Sequence, residues 1–136
     1  MKERFQLFTD AGSRGNPGNA AYGVFIYDNN NKLIDFSGKY IGILTNNQAE
    51  FIGLIAGLEL GLKNKITEID CYSDSNLMVN QVNGLFQIKD VLLRKRVEQI
   101  KVLMKKYKSI TLTHIGREKN SVADKMVNII LDAKEA

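Results

Sequence analysis

Three strand-like segments follow one another before the first helical one, and from there to the end of the chain strands and helices alternate. Residues 2–10, 20–27 and 32–43 have the β-branched and aromatic content and the alternation of strands. The stretch 11–19, with Gly12, Gly15, Pro17 and Gly18, is turn chemistry throughout, and Asp28-Asn29-Asn30-Asn31 forms a second turn. Thr45-Asn46-Asn47-Gln48 carries a helix-start signal, and the helix it opens runs to about residue 63. A fourth strand (66–73), a short helix (75–82) capped by Ser73 or Ser75, and a break at Asn83-Gly84 follow. Over 90–107 the apolar residues Leu93, Val97, Ile100, Met104 and Tyr107 step by four, three, four and three, the spacing of one helix face. A fifth strand (109–114), a loop (115–119) and a last helix capped by Asn120 and ending near residue 133 complete the chain.

The order βββαβααβα leaves few arrangements. Short turns make the first three strands an antiparallel meander, whereas strand–helix–strand alternation demands right-handed crossovers and parallel pairing. Strands one and four are then parallel neighbours. The expected fold class is α/β: a mixed five-stranded sheet, three antiparallel strands then two parallel, with helices on both faces. Such a fold by itself assigns no activity.

A chain of 136 residues with 44% hydrophobic content is sized for one compact domain, 1–136, with its own core. The single cysteine, Cys71, excludes an intramolecular disulfide, and its apolar strand setting marks a buried, inert thiol. Met1-Lys2-Glu3-Arg4 leads straight into a strand pattern, so no secretory signal is expected. The most apolar stretch, 51–62, has 12 residues and includes Glu59, short of the ~20 needed to span a bilayer. The expectation is a soluble, cytoplasmic monomer without membrane association. Gly53, Gly57 and Gly61 let the helix over that stretch lie close against a sheet or another helix. Charge is distributed unevenly. Residues 89–108 hold eight Lys/Arg against two acids, a net +6 that leaves −2 for the rest of a chain whose total is +4. A basic helix beside an acidic remainder suits a polyanion held near an acidic site, although a solvated helix face has the same composition.

Asp10, Glu50, Asp74 and Asp124 stand where acids have no structural purpose. Asp10 closes one apolar run, Glu50 opens another, Asp74 follows a third, and Asp124 lies in the first turn of the last helix. Carboxylates at the ends of buried elements cost desolvation unless something positive meets them. Four that converge repel one another, and divalent cations are the usual remedy. The plainer readings are turn residues or helix N-caps for Asp10 and Asp74, and acids at positive helix ends for Glu50 and Asp124. Hydrolysis of a phosphodiester needs an activated water and a stabilised leaving oxygen, which two hard cations roughly 4 Å apart supply. Oxygen ligands without cysteine suit Mg²⁺, and one histidine cannot build a zinc site. The glycine-rich stretch 12–18 is followed by a strand and lacks a Gly-Lys-Ser/Thr, so a nucleotide-cradling loop is disfavoured.

Four stretches carry a resemblance: Phe8-Thr9-Asp10-Ala11-Gly12-Ser13-Arg14-Gly15-Asn16-Pro17-Gly18, Thr45-Asn46-Asn47-Gln48-Ala49-Glu50, Tyr72-Ser73-Asp74-Ser75, and the segment from His114 to Asp124. In this order and at these spacings they strongly resemble ribonuclease H of the type 1 class, over nearly the whole chain. The resemblance implies an endoribonuclease that cleaves the RNA strand of RNA–DNA hybrids and leaves 3′-hydroxyl and 5′-phosphate ends. It implies that Asp10, Glu50, Asp74 and Asp124 hold two Mg²⁺ ions, or Mn²⁺ in their place, and that His114 assists proton traffic or product release. Asn16, Asn46, Asn47 and Asn80 match residues that contact the hybrid.

Gly12 and Ser13 in the donor-rich loop, Thr45 at the helix start, and Asn76 one turn before Asn80 complete the expected substrate-contacting set. Side-chain amides suit 2′-hydroxyls and minor-groove base edges, where hybrids differ from duplex DNA. As plainer readings, Asn16 is a turn former, Asn46 a helix cap and His114 an ordinary strand-end histidine. Glu59, Asp70 and Glu118 read as acids outside the site. Residues 83–88 pass directly between two helices where other members insert a basic handle, and the chain begins nine residues before Asp10, so the compact form without handle or N-terminal hybrid-binding module is expected. With no tryptophan present, packing against the DNA strand falls to Phe86, and affinity to the +6 segment. The rival readings are a nuclease of the same fold acting on duplex RNA or branched DNA, and a catalytically silent hybrid-binding module.

Overall fold

A computed structural model of the chain describes residues 3–136; Lys2, where the first strand was expected to open, lies outside the described residues. The elements are β1 (Phe5–Gly15), β2 (Gly18–Tyr27), β3 (Leu33–Leu44), α1 (Asn46–Lys63), β4 (Glu68–Ser73), α2 (Asn76–Val82), α3 (Val91–Met104), β5 (Ser109–His114), a single 3₁₀ turn (Arg117–Lys119) and α4 (Ser121–Glu135). One five-stranded sheet has the order β3-β2-β1-β4-β5. β1 pairs antiparallel with β2 and β2 with β3, while β1–β4 and β4–β5 are parallel. This is the expected fold class, strand for strand.

Alternation along the strands sorts the sheet into two faces. Leu7, Tyr22, Val24, Ile26, Ile69 and Cys71 join the main core with Phe51, Leu54 and Leu58 of α1 and with Ile100 and Leu103 of α3. On the other face Val127 and Leu131 of α4 pack on Ala21, with Tyr40 and Ile130 beside them. The helical face expected for α3 is the one that packs: Ile100 and Tyr107 are buried, and Leu93, Val97 and Met104 lie partly buried against them. Cys71 is a buried thiol, and burial pushes its pKa up. No helix among the described residues is long and apolar enough to cross a membrane.

Glycines set how near the helices come. A Cβ on Gly57 would stand 2.8 Å from Leu7 Cδ2, and one on Gly53 3.1 Å from Tyr22 Cβ, so α1 lies directly on β1 and β2 as its glycine spacing suggested. The α4 side has its own pair, which sequence reading passed over. Gly23 and Gly38 are register partners on β2 and β3, and added Cβ atoms there would meet Met126 at 2.9 Å and 2.8 Å. Without those two bare positions α4 would ride higher on the sheet.

Two expectations are corrected. The stretch 11–19 is no open loop, because β1 and β2 stay paired from Gln6↔Tyr27 to Gly15↔Gly18 and only Asn16-Pro17 turn the corner. A continuous ladder satisfies those backbone groups, and it outweighs the turn propensity of individual residues. Gly15 takes the positive φ of 122° that the tight end requires. The second correction concerns Asn120. It stands at the N-cap position of α4 but its side chain makes no cap hydrogen bond.

Candidate active site

Asp10 is not at the end of β1. It lies where the parallel pairing of β1 with β4 stops, at Thr9↔Ser73, while the antiparallel ladder with β2 continues past Asp10↔Gly23. The sheet therefore splits there. Asp74, the residue after β4, faces the split from the other side, and Ser75 caps α2 by accepting from Met78 N at 3.2 Å. Glu50 comes from the first turns of α1, whose start is fixed by a capping box: Thr45 Oγ1 accepts from Gln48 N, and Gln48 Oε1 accepts from Thr45 N at 2.9 Å. One carboxylate oxygen from each of Asp10, Glu50 and Asp74 lies within 4.8 Å of the others. Asp124, half-buried in the first turn of α4, is not in that triad but lines the same cleft, of about 430 Å³, with Gly12, Ser13, Asn46 and Arg117.

The electrostatics of the triad follow from burial. Asp10 is 7% exposed and Glu50 5%. Burial first, and then the charges of Asp74 and Asp124, push the Asp10 carboxyl up to about 8, against a partly offsetting bond from Ala11 N at 2.9 Å. Burial raises Glu50 well above the usual carboxylate range, with Asp10 and Asp74 adding to it. Asp74 Oδ2 is buried without a hydrogen-bond partner. Clustered oxygen donors, carboxyls that resist ionising together, and an orphaned acceptor are the donor set of a hard, oxygen-preferring cation, and the residues fit one.

A sign follows for pH. The Asp10 pKa lies above its ordinary value of 3.8, so the folded state binds the proton more tightly than the unfolded chain. Its contribution to stability is present near the ordinary value and is lost as pH rises toward about 8. We predict that in EDTA the protein loses on the order of a few kcal/mol of stability between about pH 5 and pH 8, so that its melting temperature falls across that range. Saturating Mg²⁺ should remove most of that fall. Calorimetry across that range checks it, and a melting temperature that climbs with pH in EDTA contradicts the sign.

The other candidate residues divide into two groups. Asn16, Asn46 and Ser13 interlock at the mouth of the cleft: Asn46 N donates to Asn16 Oδ1 at 3.1 Å and Ser13 N to Asn46 Oδ1 at 3.2 Å. They clip the β1–β2 hairpin onto the start of α1, next to Gly12 and Thr45. Asn47 instead donates to Gln81 Oε1 at 3.3 Å, linking α1 to α2, and Asn80 donates to Asn76 Oδ1 at 3.1 Å on α2. Neither Asn76 nor Asn80 lines the carboxylate cleft. His114 is exposed at the end of β5, in register with Ser73 and so one residue removed from Asp74. Glu59 and Glu118 are exposed, and Asp70 is tied to Arg4 by bonds of 2.8 and 2.7 Å and to Thr111 Oγ1 at 2.6 Å.

Sequence reading missed Arg117, the one cation between His114 and Asp124 that lines the cleft. It also missed Arg14, which reaches Asp132 and Glu135 at 2.7 Å each and fastens the hairpin to α4. An isolated arginine in a hairpin gives no signal of a partner 118 residues away; only the fold supplies it.

The family model described as "Reverse transcriptase-like" matches residues 8–129. The bifunctional protein Rv2228c of Mycobacterium tuberculosis is 38% identical over 91% of this chain, which spans about a third (34%) of that relative's length. Among solved structures, RNase H1 from the halophilic archaeon Halobacterium salinarum is 34% identical and superposes with a TM-score of 0.93, over 96% of this chain and 98% of that one. LC11-RNase H1, solved in complex with an RNA/DNA hybrid, is 34% identical with a TM-score of 0.89, over 97% and 99%. By family model, by identity across nearly its whole length and by fold, this chain belongs to the ribonuclease H family.

Proposed function

We propose that the chain is an endoribonuclease that hydrolyses the RNA strand of RNA–DNA hybrids, using two Mg²⁺ ions for which Mn²⁺ substitutes, and leaves 3′-hydroxyl and 5′-phosphate ends. The observation that carries the reading is the convergence of Asp10, Glu50 and Asp74 on one point, with a buried Asp74 oxygen that has no partner in the protein. Similarity to a ribonuclease H1 solved with a hybrid supports the substrate. Asp10, Glu50, Asp74 and Asp124 are the residues that would hold the ions. When bound, such cations polarise a phosphoryl oxygen and lower the pKa of water.

The chain's own groups do the rest. Asn16, Asn46 and Ser13 gather amide and hydroxyl groups at the mouth of the carboxylate cleft, a chemistry suited to a phosphate backbone or a 2′-hydroxyl. His114, exposed at the end of β5 and in register with Ser73, the residue before Asp74, is the group we assign to carrying a proton to or from solvent. α2 is joined to α3 directly by the non-helical residues 83–90, the last of which, Asp90, caps α3 by accepting from Leu92 N at 2.8 Å and Leu93 N at 3.1 Å. Exposed Lys95 and Arg96 then line a groove shared with Leu44 and Gln48 at the start of α1. Phe86, 47% exposed in that connection, offers the aromatic surface for a sugar face.

Side-by-side assays on hybrid, duplex RNA and duplex DNA, in Mg²⁺ and in Mn²⁺, test the reading. The expected result is cation-dependent cutting of the RNA in the hybrid alone. Equal cutting of duplex RNA would move the chain to the rival nuclease class, and tight hybrid binding without cutting in either ion would make it a binding module. Reversing both groove cations, Lys95→Glu with Arg96→Glu, should raise KM and leave kcat near wild type. Each lost phosphate contact should also lower the slope of log affinity against log salt by about 1.

A further inference from the structure

We propose that Asn120 is a positioning residue that sets the placement of Asp10 relative to Asp124; this rests on the reading of those acids as cation ligands. Asn120 is 2% exposed, and its Nδ2 donates to Thr9 O at 2.9 Å, across 111 residues of sequence. Thr9 is the last β1 residue in register with β4, and the next residue is Asp10. On its other side, Asn120 O accepts from Asp124 N at 3.1 Å, the bond that forms the first turn of α4. One buried residue thus holds the backbone next to Asp10 through its side chain and the backbone of Asp124 through its carbonyl.

Neither helix capping nor stability accounts for the amide. It makes no cap hydrogen bond although it occupies the N-cap position. Its Oδ1 is buried with no partner, and an unpaired buried acceptor costs about as much as one good hydrogen bond contributes. The amide therefore adds little to folding, while its one bond fixes where the split in the sheet meets α4. Groups that orient ligands in this way govern cation affinity without touching the ion.

The test uses the full chain with Asn120→Ala and Asn120→Leu, the first removing the amide and the second keeping its bulk. Mn²⁺ affinity is measured by calorimetry without nucleic acid, and kcat and KM on hybrid. Both variants should bind Mn²⁺ about 10-fold more weakly and lose about 10-fold in kcat with KM little changed. Ile100→Val, on the core face of α3, should lower the melting temperature yet keep wild-type Mn²⁺ affinity. Folded Asn120 variants within about twofold of wild type in both readouts overturn the proposal. So does failure of both variants to fold, which would make the residue structural. A wild-type protein that neither binds Mn²⁺ nor cuts hybrid removes the functional reading first, and is told apart because it fails before any variant is compared.

Discussion

Replacing Asp10 with asparagine should lower hybrid cleavage in Mg²⁺ by about 1000-fold or more while leaving hybrid binding measurable. Cation-assisted charge stabilisation lowers the barrier by several kcal/mol, and losing about 4 kcal/mol of it corresponds to that factor. The three acids of the triad all lie within reach of one another, and Asp10 also feels the charge of Asp124. The same substitution should have an opposite effect on folding. In EDTA above about pH 7 the wild-type protein carries a buried carboxyl that resists ionisation, and a neutral amide in its place has no such group to ionise. Metal-free Asp10→Asn should then be more stable than wild type by on the order of 1 kcal/mol and melt higher, the usual exchange between site chemistry and stability. Steady-state cleavage and calorimetry in EDTA measure the two halves. Near-normal turnover would sink the site assignment, and a lower melting point in EDTA would sink the account of its electrostatics.

The largest stability effect is expected at Phe51→Ala. Phe51 is fully buried and is the largest side chain so enclosed; it follows Glu50 directly on α1 and packs in the main core. Truncation removes the ring's burial and leaves a cavity, at a cost of about 3–5 kcal/mol. For a domain of this size that lowers the melting temperature by about 10–20 °C. Ile129→Ala on α4, at a side chain 57% exposed, should stay within about 0.5 kcal/mol of wild type. A Phe51 variant that melts no lower than the Ile129 variant would mean that α1 is not anchored as described. Because the ring seats the turn that presents Glu50, we also expect Phe51→Ala to weaken Mg²⁺-dependent cleavage at temperatures where the variant is still folded.

The chain's local code gives the element types and their order with little loss. β5 spans the residues read from the sequence, and α1 and α2 start within one residue of their capping signals. The exceptions have one cause. The stretch 11–19 has turn residues yet is held in a ladder with β2, and Asn120 has a capping residue's identity yet gives its amide to Thr9. In both, a partner distant in sequence overrides the local preference, which no window along the chain can register.

The candidate site divides the same way. That Asp10, Glu50 and Asp74 are acids out of place was legible from their apolar neighbours, and strand alternation made β1 and β4 adjacent. Which acid is innermost was not. Asp124 stands beside the triad, in a place set by how closely α4 lies on the sheet, and that depends on two glycines, Gly23 and Gly38, that become neighbours only when β2 pairs with β3. Periodicity and motif spacing are properties of the chain and determine which elements form and in what order. Distances between elements are properties of their contacts, and here the close approach of α4, the split at Thr9↔Ser73 and the bond from Asn120 exist only once the sheet has closed.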